Sequence, residues 1–102
     1  MWHPAADANA VGENQVLGVK VAGIPIALYR LDGEVYATHD ICTHEEALLS
    51  EGYVDGGCIE CPLHQARFNI KTGAVDSAPA TEPVKTYPAK VEGGRIFVDI
   101  PG

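Results

Sequence analysis

The chain has 102 residues, of which 14 are Asp or Glu and seven are Lys or Arg, so its formal net charge at pH 7 is −7. This length fits one compact domain and leaves no room for a second core. The negative balance argues against binding to nucleic acid, which attracts Lys and Arg. Residues 1–7 lack a basic cluster followed by an apolar run, and residues 21–29 are far shorter than the ~20 apolar residues of a membrane span. We therefore expect a soluble, cytoplasmic monomer.

The first half of the chain predicts a three-stranded meander. Residues 15–21, 24–31 and 35–39 are short runs rich in Val, Ile and Tyr, and Ala22-Gly23 and Asp32-Gly33 separate them. Asp-Gly between apolar runs is a strong signal for a β-hairpin. Residues 1–14, which are rich in Ala and polar residues, are predicted to form an irregular arm.

The second half predicts three further hairpins. Residues 53–54 and 58–60 flank Asp55-Gly56-Gly57, residues 67–70 face 74–75, and residues 86–92 and 95–100 are joined by Gly93-Gly94. A sustained helical period is absent, although residues 45–49 are compatible with one helical turn. The predicted fold class is all-β, built from small antiparallel sheets.

Two short motifs carry the chemistry: Cys42-Thr43-His44 and Cys61-Pro62-Leu63-His64. Each joins a thiolate to an imidazole, and the four side chains can supply one iron of a two-iron, two-sulfide cluster with sulfur and the other with nitrogen. The alternative is a structural zinc module, since Zn²⁺ also accepts two Cys and two His. Zinc fingers usually group like ligands, whereas both motifs here are mixed.

The surroundings of these motifs resemble the Rieske-type ferredoxins that supply electrons to bacterial aromatic-ring-hydroxylating dioxygenases. The similarity extends to residues 49–54, 68–73, 78–80 and 84–88. It implies a single Rieske domain over residues 1–102, with a cluster-binding part at about 40–80 made of two ligand loops, and one [2Fe-2S] cluster per chain. In this family the residues that match Cys42 and Cys61 hold the inner iron, and those that match His44 and His64 hold the outer iron.

The same resemblance implies a one-electron carrier and not an enzyme. A flavin-dependent NAD(P)H reductase would reduce it, and the Rieske centre of a terminal ring-hydroxylating oxygenase would oxidise it. High-potential respiratory relatives have a disulfide at positions that read here as Ala47 and Leu63, and hydroxyl donors at Ala66 and Phe68. Since hydrogen bonds to the cluster sulfurs stabilise the reduced state, we predict a potential near the low end of the Rieske range, about −150 mV.

Several other side chains near the motifs have plainer interpretations. Cys58 forms a C-x-x-C with Cys61, but the segment runs into Pro62 in an apparent strand, so we predict a packing role and not a redox pair. His39 is predicted to lie outside the ligand set, and Tyr53 and Phe68 to be core residues. By resemblance, Ala78-Pro79-Ala80 forms the loop that covers the cluster.

Negative charge is concentrated in the middle of the chain. Between Arg30 and Arg67 there are eight carboxylates and neither Lys nor Arg. The acidic residues are Asp32, Glu34, Asp40, Glu45, Glu46, Glu51, Asp55 and Glu60. One hypothesis is that they form an acidic face around the histidine tip, which steers the protein onto basic patches of its redox partners. The alternative is that they only keep a small sheet soluble.

Overall fold

A computed structural model describes residues 1–43, 47–63, 65–78 and 82–101. In these ranges the chain forms eleven strands and one 3-10 turn, which confirms the all-β prediction. The strands are β1 Trp2–Asp7, β2 Val16–Val21, β3 Ile24–Leu31, β4 Glu34–His39, β5 Tyr53–Asp55, β6 Cys58–Glu60, β7 Arg67–Asn69, β8 Val75–Ser77, β9 Thr86–Tyr87, β10 Ala89–Glu92 and β11 Arg95–Asp99. The 3-10 turn covers Leu49–Glu51. Within the same ranges, no helix is long and apolar enough to cross a membrane.

The strands of the described residues form three antiparallel sheets. Their orders are β1-β11-β10, β2-β3-β4-β9 and β5-β6-β7-β8. The predicted meander is the core of the second sheet. Its two hairpins have the same turn geometry, because Ala22 and Asp32 both have φ 51° and Gly23 and Gly33 both have φ 79°. Positive φ at both turn positions is the type I′ conformation, which matches the twist of the flanking strands.

Strand β3 is buried on both faces and separates two apolar cores. Ile26 and Leu28 point into a core shared with the first sheet, where Ile96 and Val98 of β11 pack. Ala27, Tyr29 and Leu31 alternate with them and point into a second core, which also contains Cys42 and Cys61. The Tyr29 hydroxyl lies 2.8 Å from Thr38 Oγ1, and burial raises the pKa of this hydroxyl. A strand with two buried faces explains why this segment reads as an almost continuous apolar run.

The prediction of an irregular N-terminal arm is wrong for its first half. Residues 2–7 form β1, which pairs with β11, and the Met1 amino group lies 2.6 Å from an Asp99 carboxylate oxygen. The segment has no apolar alternation, and Pro4 argues against a central strand. Because β1 is the edge strand of its sheet, Pro4 is tolerated there, and the register shifts between Pro4 and Ala6.

Two other predicted elements differ in their limits. The segment predicted as one strand at 86–92 is divided at Pro88, because β9 pairs with β4 and β10 pairs with β11, so the chain passes between sheets at this residue. Proline has no N–H for a ladder, but its carbonyl accepts a hydrogen bond from Asp99 N–H. The short turn predicted at 45–49 lies partly outside the described residues, and the observed 3-10 turn begins only at Leu49.

We predict that Gly52→Ala destabilises the protein by about 3 kcal/mol. Gly52 follows the 3-10 turn, and a Cβ there would overlap the Glu60 carbonyl oxygen of the neighbouring strand β6. Its φ of −91° suits any residue, so the cost is steric and not conformational. Urea denaturation measures the loss.

The matched control is Gly12→Ala, where the added Cβ would meet only the flexible Gln15 side chain. We expect a loss of about 0.5 kcal/mol or less for this variant. Equal stabilities of the two variants would contradict the close approach of Gly52 to β6.

Candidate metal centre

The two cysteines of the motifs begin loops that are closed in the same way. The Cys42 N–H donates to the Ala47 carbonyl at 2.8 Å, and the Cys61 N–H donates to the Ala66 carbonyl at 2.7 Å. In both loops the acceptor comes five residues after the cysteine, so each closure encloses a segment of the same length. The first loop follows β4 and the second follows β6 directly.

Both cysteine side chains lie in one apolar core, although the strands that precede them, β4 and β6, belong to different sheets. Cys42 is 4% exposed and Cys61 is fully buried. Ala47 and Ala66, which accept the loop-closing bonds, belong to the same core together with Phe68. Small side chains at the two alanines allow the loops to approach this core closely. The fold therefore brings the two predicted thiolate ligands into one environment.

The two predicted histidine ligands, His44 and His64, lie outside the described residues, as do Pro79 and Ala80 of the predicted covering loop. In the sequence, each histidine falls inside one of the two closed loops. Across the described ranges, no group of three or more His, Cys, Asp or Glu side chains is arranged to hold a metal. His39 ends β4, and its backbone N–H donates to the Lys85 carbonyl.

The surface next to the loops has exposed apolar side chains, and one hydrogen bond joins the first loop to a segment further along the chain. Ile41 and Leu48 of the first loop and Leu63 of the second loop are exposed. The Thr43 hydroxyl donates to the Glu82 carbonyl at 2.8 Å, which joins the first loop to the chain that precedes β9. The first loop is thus connected to the segment that follows residues 79–81.

The predicted acidic face is only partly present in the described residues. Asp40 is buried, and Asp32 and Glu34 lie at the hairpin on the opposite end of β4 from Cys42. Glu60 and Asp76 are 3.3 and 3.4 Å from the Arg67 guanidinium, and Asp55 is 3.6 Å from it, so one cation offsets part of their charge. Glu51 is exposed, whereas Glu45 and Glu46 lie outside the described residues.

Of the three side chains near the motifs that were predicted to be packing or core residues, two are buried and one is exposed. Cys58 is buried in strand β6, as a packing role requires. Phe68 is fully buried, as predicted. The prediction for Tyr53 is wrong, because this side chain is 67% exposed. Tyr53 lies on β5, the edge strand of its sheet, and points to solvent.

The described residues fit an iron–sulfur cluster. Thiolate is the ligand that iron–sulfur clusters use, and two thiols in an apolar setting can hold an iron away from water. Each predicted histidine ligand comes two or three residues after its cysteine in the sequence, within the segment that the loop-closing hydrogen bond encloses. Cys42 and Cys61 thus offer two buried sulfur atoms to such a cluster.

Comparisons with known proteins agree with this site. The Rieske [2Fe-2S] domain family matches residues 1–88. The chain is 48% identical over 99 residues to the ferredoxin component of a naphthalene 1,2-dioxygenase system from Pseudomonas aeruginosa, covering 97% of this chain and 95% of that protein.

Solved structures give the same result for the fold. A ferredoxin from Sphingomonas yanoikuyae B1 matches with a TM-score of 0.91 and 38% identity, over 96% of this chain and 97% of that one. A chain from a complex of reduced oxygenase and oxidized ferredoxin in carbazole 1,9a-dioxygenase matches with a TM-score of 0.88 and 39% identity, over 95% and 91% of the two chains.

The chain belongs to the Rieske [2Fe-2S] family. Within that family it is a ferredoxin of the type found in aromatic-ring dioxygenase systems, an electron carrier and not an enzyme. Its cofactor is a [2Fe-2S] cluster. These findings give no support to the alternative of a structural zinc module.

Proposed function

We propose that Cys42, His44, Cys61 and His64 hold the [2Fe-2S] cluster, and that the protein passes one electron at a time from a flavin-dependent NAD(P)H reductase to the Rieske centre of a terminal aromatic-ring-hydroxylating oxygenase. The observation that carries the ligand assignment is the shared core of Cys42 and Cys61, each at the start of a loop closed by the same hydrogen bond. Residues 1–102 form one Rieske domain, and its cluster-binding part is at about 40–80.

The cysteines and the histidines have different roles in the proposed centre. When bound, the cluster supplies a one-electron couple. The buried thiolates of Cys42 and Cys61 exclude water on the inner side. The two histidines are neutral where thiolates would be anionic, so the oxidised and reduced centres carry less negative charge and reduction becomes easier. Loops fixed to a rigid sheet keep the geometry similar in both oxidation states.

The partners follow from the same site. One matching structure is a complex between a ferredoxin and an oxygenase, which supports an oxygenase as the electron acceptor. The exposed apolar residues Ile41, Leu48 and Leu63 provide contact area next to the ligand loops. A reductase completes the chain of electron transfer, because a carrier needs a donor. We propose that the protein works as a cytoplasmic monomer.

The potential is proposed to lie near the low end of the Rieske range, about −150 mV. Ala47 and Leu63 exclude the disulfide of high-potential relatives, and Ala66 and Phe68 place no hydroxyl in the core around Cys61. Without those donors, the reduced state has fewer hydrogen bonds to stabilise it. A carrier at this potential suits delivery to an oxygenase.

We predict that His64→Cys retains an iron–sulfur cluster with a lower midpoint potential, because an anionic thiolate replaces a neutral imidazole at the redox-active iron. Potentiometric titration followed by EPR spectroscopy measures the shift. His39→Cys is the matched control, since it adds a thiol outside the proposed ligand set and should leave the potential unchanged. A midpoint that stays constant in His64→Cys would reject His64 as a ligand.

We predict that the rate of electron transfer to the oxygenase falls as ionic strength rises, because exposed carboxylates near the loops attract basic patches of the partner. Stopped-flow measurement of oxygenase reduction between low and physiological salt tests this. Glu51→Gln, which removes an exposed carboxylate beside the first loop, should weaken the salt dependence more than Asp32→Asn at the distant hairpin. Salt-independent rates would leave the carboxylates with a solubility role only.

A further inference from the structure

A buried carboxylate closes the base of the first ligand loop. Asp40 lies between the last residue of β4 and Cys42, and it is only 4% exposed. Both of its carboxylate oxygens accept hydrogen bonds from Ser50, one from the backbone N–H and one from the hydroxyl, each at 2.8 Å. Asp40 and Ser50 stand at the two ends of the segment that contains Cys42 and His44. We call this pair the Asp40–Ser50 clamp.

Backbone hydrogen bonds continue from the clamp toward Cys42. The Leu49 N–H donates to the Asp40 carbonyl at 2.6 Å, Ile41 and Leu48 form an isolated bridge, and the Cys42 N–H donates to Ala47. The Asp40 N–H in turn donates to the Pro25 carbonyl of β3 at 2.9 Å. The two sides of the loop are therefore joined residue by residue, from the scaffold up to the cysteine.

Strand β2 supports the clamp from outside and requires glycine there. A Cβ built on Gly18 would lie 2.5 Å from Ser50 Oγ and 3.0 Å from an Asp40 carboxylate oxygen. Gly18 pairs with Ala27 in the ladder between β2 and β3, so the strand cannot move away without losing that ladder. A side chain at position 18 would therefore push Ser50 away from Asp40.

The two ligand loops differ in how their cysteines are fixed to the scaffold. Cys61 comes directly after β6, which is hydrogen-bonded to β5 on one side and to β7 on the other. Cys42 comes three residues after the end of β4, beyond the range in which β4 pairs with β3 and β9. The first loop thus needs a tie of its own, and a carboxylate with two donors supplies strong, directional hydrogen bonds.

We propose that Asp40 is a positioning residue, which acts through Ser50 to hold the first ligand loop in the geometry that keeps Cys42 on the cluster. This inference rests on the proposed assignment of Cys42 as a ligand. Asp40 is buried and acts through its hydrogen bonds to Ser50, and its role is to keep the Cys42 loop closed in both oxidation states. The burial of a carboxylate at this place is explained by that role, since a buried anion is costly unless it is fully hydrogen-bonded.

The test is hydrogen–deuterium exchange with mass spectrometry on the cluster-loaded protein, together with the rate at which an iron chelator bleaches the visible absorbance. Asp40→Ala should speed exchange in the segment 40–50 and bleaching by about tenfold, the factor expected for loss of a hydrogen bond to a charged group. Exchange in the segment 58–66 should stay as in the wild type. Asp40→Asn retains an acceptor for the Ser50 N–H and should recover much of the protection.

Two further variants keep the test decisive if Asp40→Ala fails to fold. Ser50→Ala removes only the hydrogen bond from the serine hydroxyl to Asp40. Gly18→Ala disturbs the clamp without changing its polar groups. Both variants should accelerate exchange in the segment 40–50 and leave the segment 58–66 unchanged. Val98→Ala is the control, because it destabilises the distant core. It should leave the ratio of the exchange rates in segments 40–50 and 58–66 unchanged.

The exchange rate in the segment 40–50, relative to that in 58–66, is the deciding quantity. If this ratio stays unchanged in the clamp variants, or if it changes equally in Val98→Ala, the proposed role of Asp40 is overturned. A failure of the ligand assignment has a different signature, because the Cys42→Ala variant would then retain its colour and its cluster. The failure of the Asp40 proposal can therefore be distinguished from the failure of the ligand assignment.

Discussion

The structure depends on one constraint: two thiols from different sheets must share one buried core. Strand β3 makes this possible because its two faces serve different cores. Ile26 and Leu28 fix the strand against the first sheet, and Ala27, Tyr29 and Leu31 on the other face form part of the core beneath the ligand loops. Loss of packing on either face would change the relative position of the sheets that carry Cys42 and Cys61.

The two predicted ligand loops are short, and a backbone hydrogen bond closes each of them. Each cysteine amide donates to a buried alanine carbonyl, so the loop backbone is fixed on the same side that holds the thiol. Exposed apolar residues flank the loops, while Arg67 offsets carboxylates on three neighbouring strands. This arrangement suits the transient contacts of an electron carrier, since a surface of mixed character binds without forming a permanent interface.

Local features were predictable from the sequence, and non-local ones were not. The hairpins at Asp32-Gly33 and Gly93-Gly94 follow from residues that favour positive φ, and both turns have it. Strand β1 was missed because its pairing with β11 joins the two ends of the chain and leaves no local alternation. Tyr53 is exposed because Val54 of the same strand packs against the core, which turns Tyr53 to the opposite, solvent-facing side, and a three-residue strand gives no sequence signal for which face is buried.

The candidate site also combines local features that the sequence indicates with non-local contacts that it does not. The ligand set Cys42, His44, Cys61 and His64 stays a prediction from ligand type and spacing, and the structure adds only that the two cysteines lie in one core. Asp40 was counted as one surface carboxylate among eight, since nothing in the sequence indicates that Ser50 and Gly18 meet it. The acidic face was overestimated for the same reason, because burial and the contacts of Arg67 depend on three-dimensional packing.

The most direct test of the central claim is pulsed EPR spectroscopy of the dithionite-reduced protein, purified from cells grown with ¹⁵N-labelled histidine. We expect a coloured protein with iron and acid-labile sulfide, whose paramagnetic signal shows hyperfine coupling to two histidine nitrogens. A paramagnetic cluster without histidine coupling, or a colourless protein that contains zinc, would contradict mixed sulfur and nitrogen coordination.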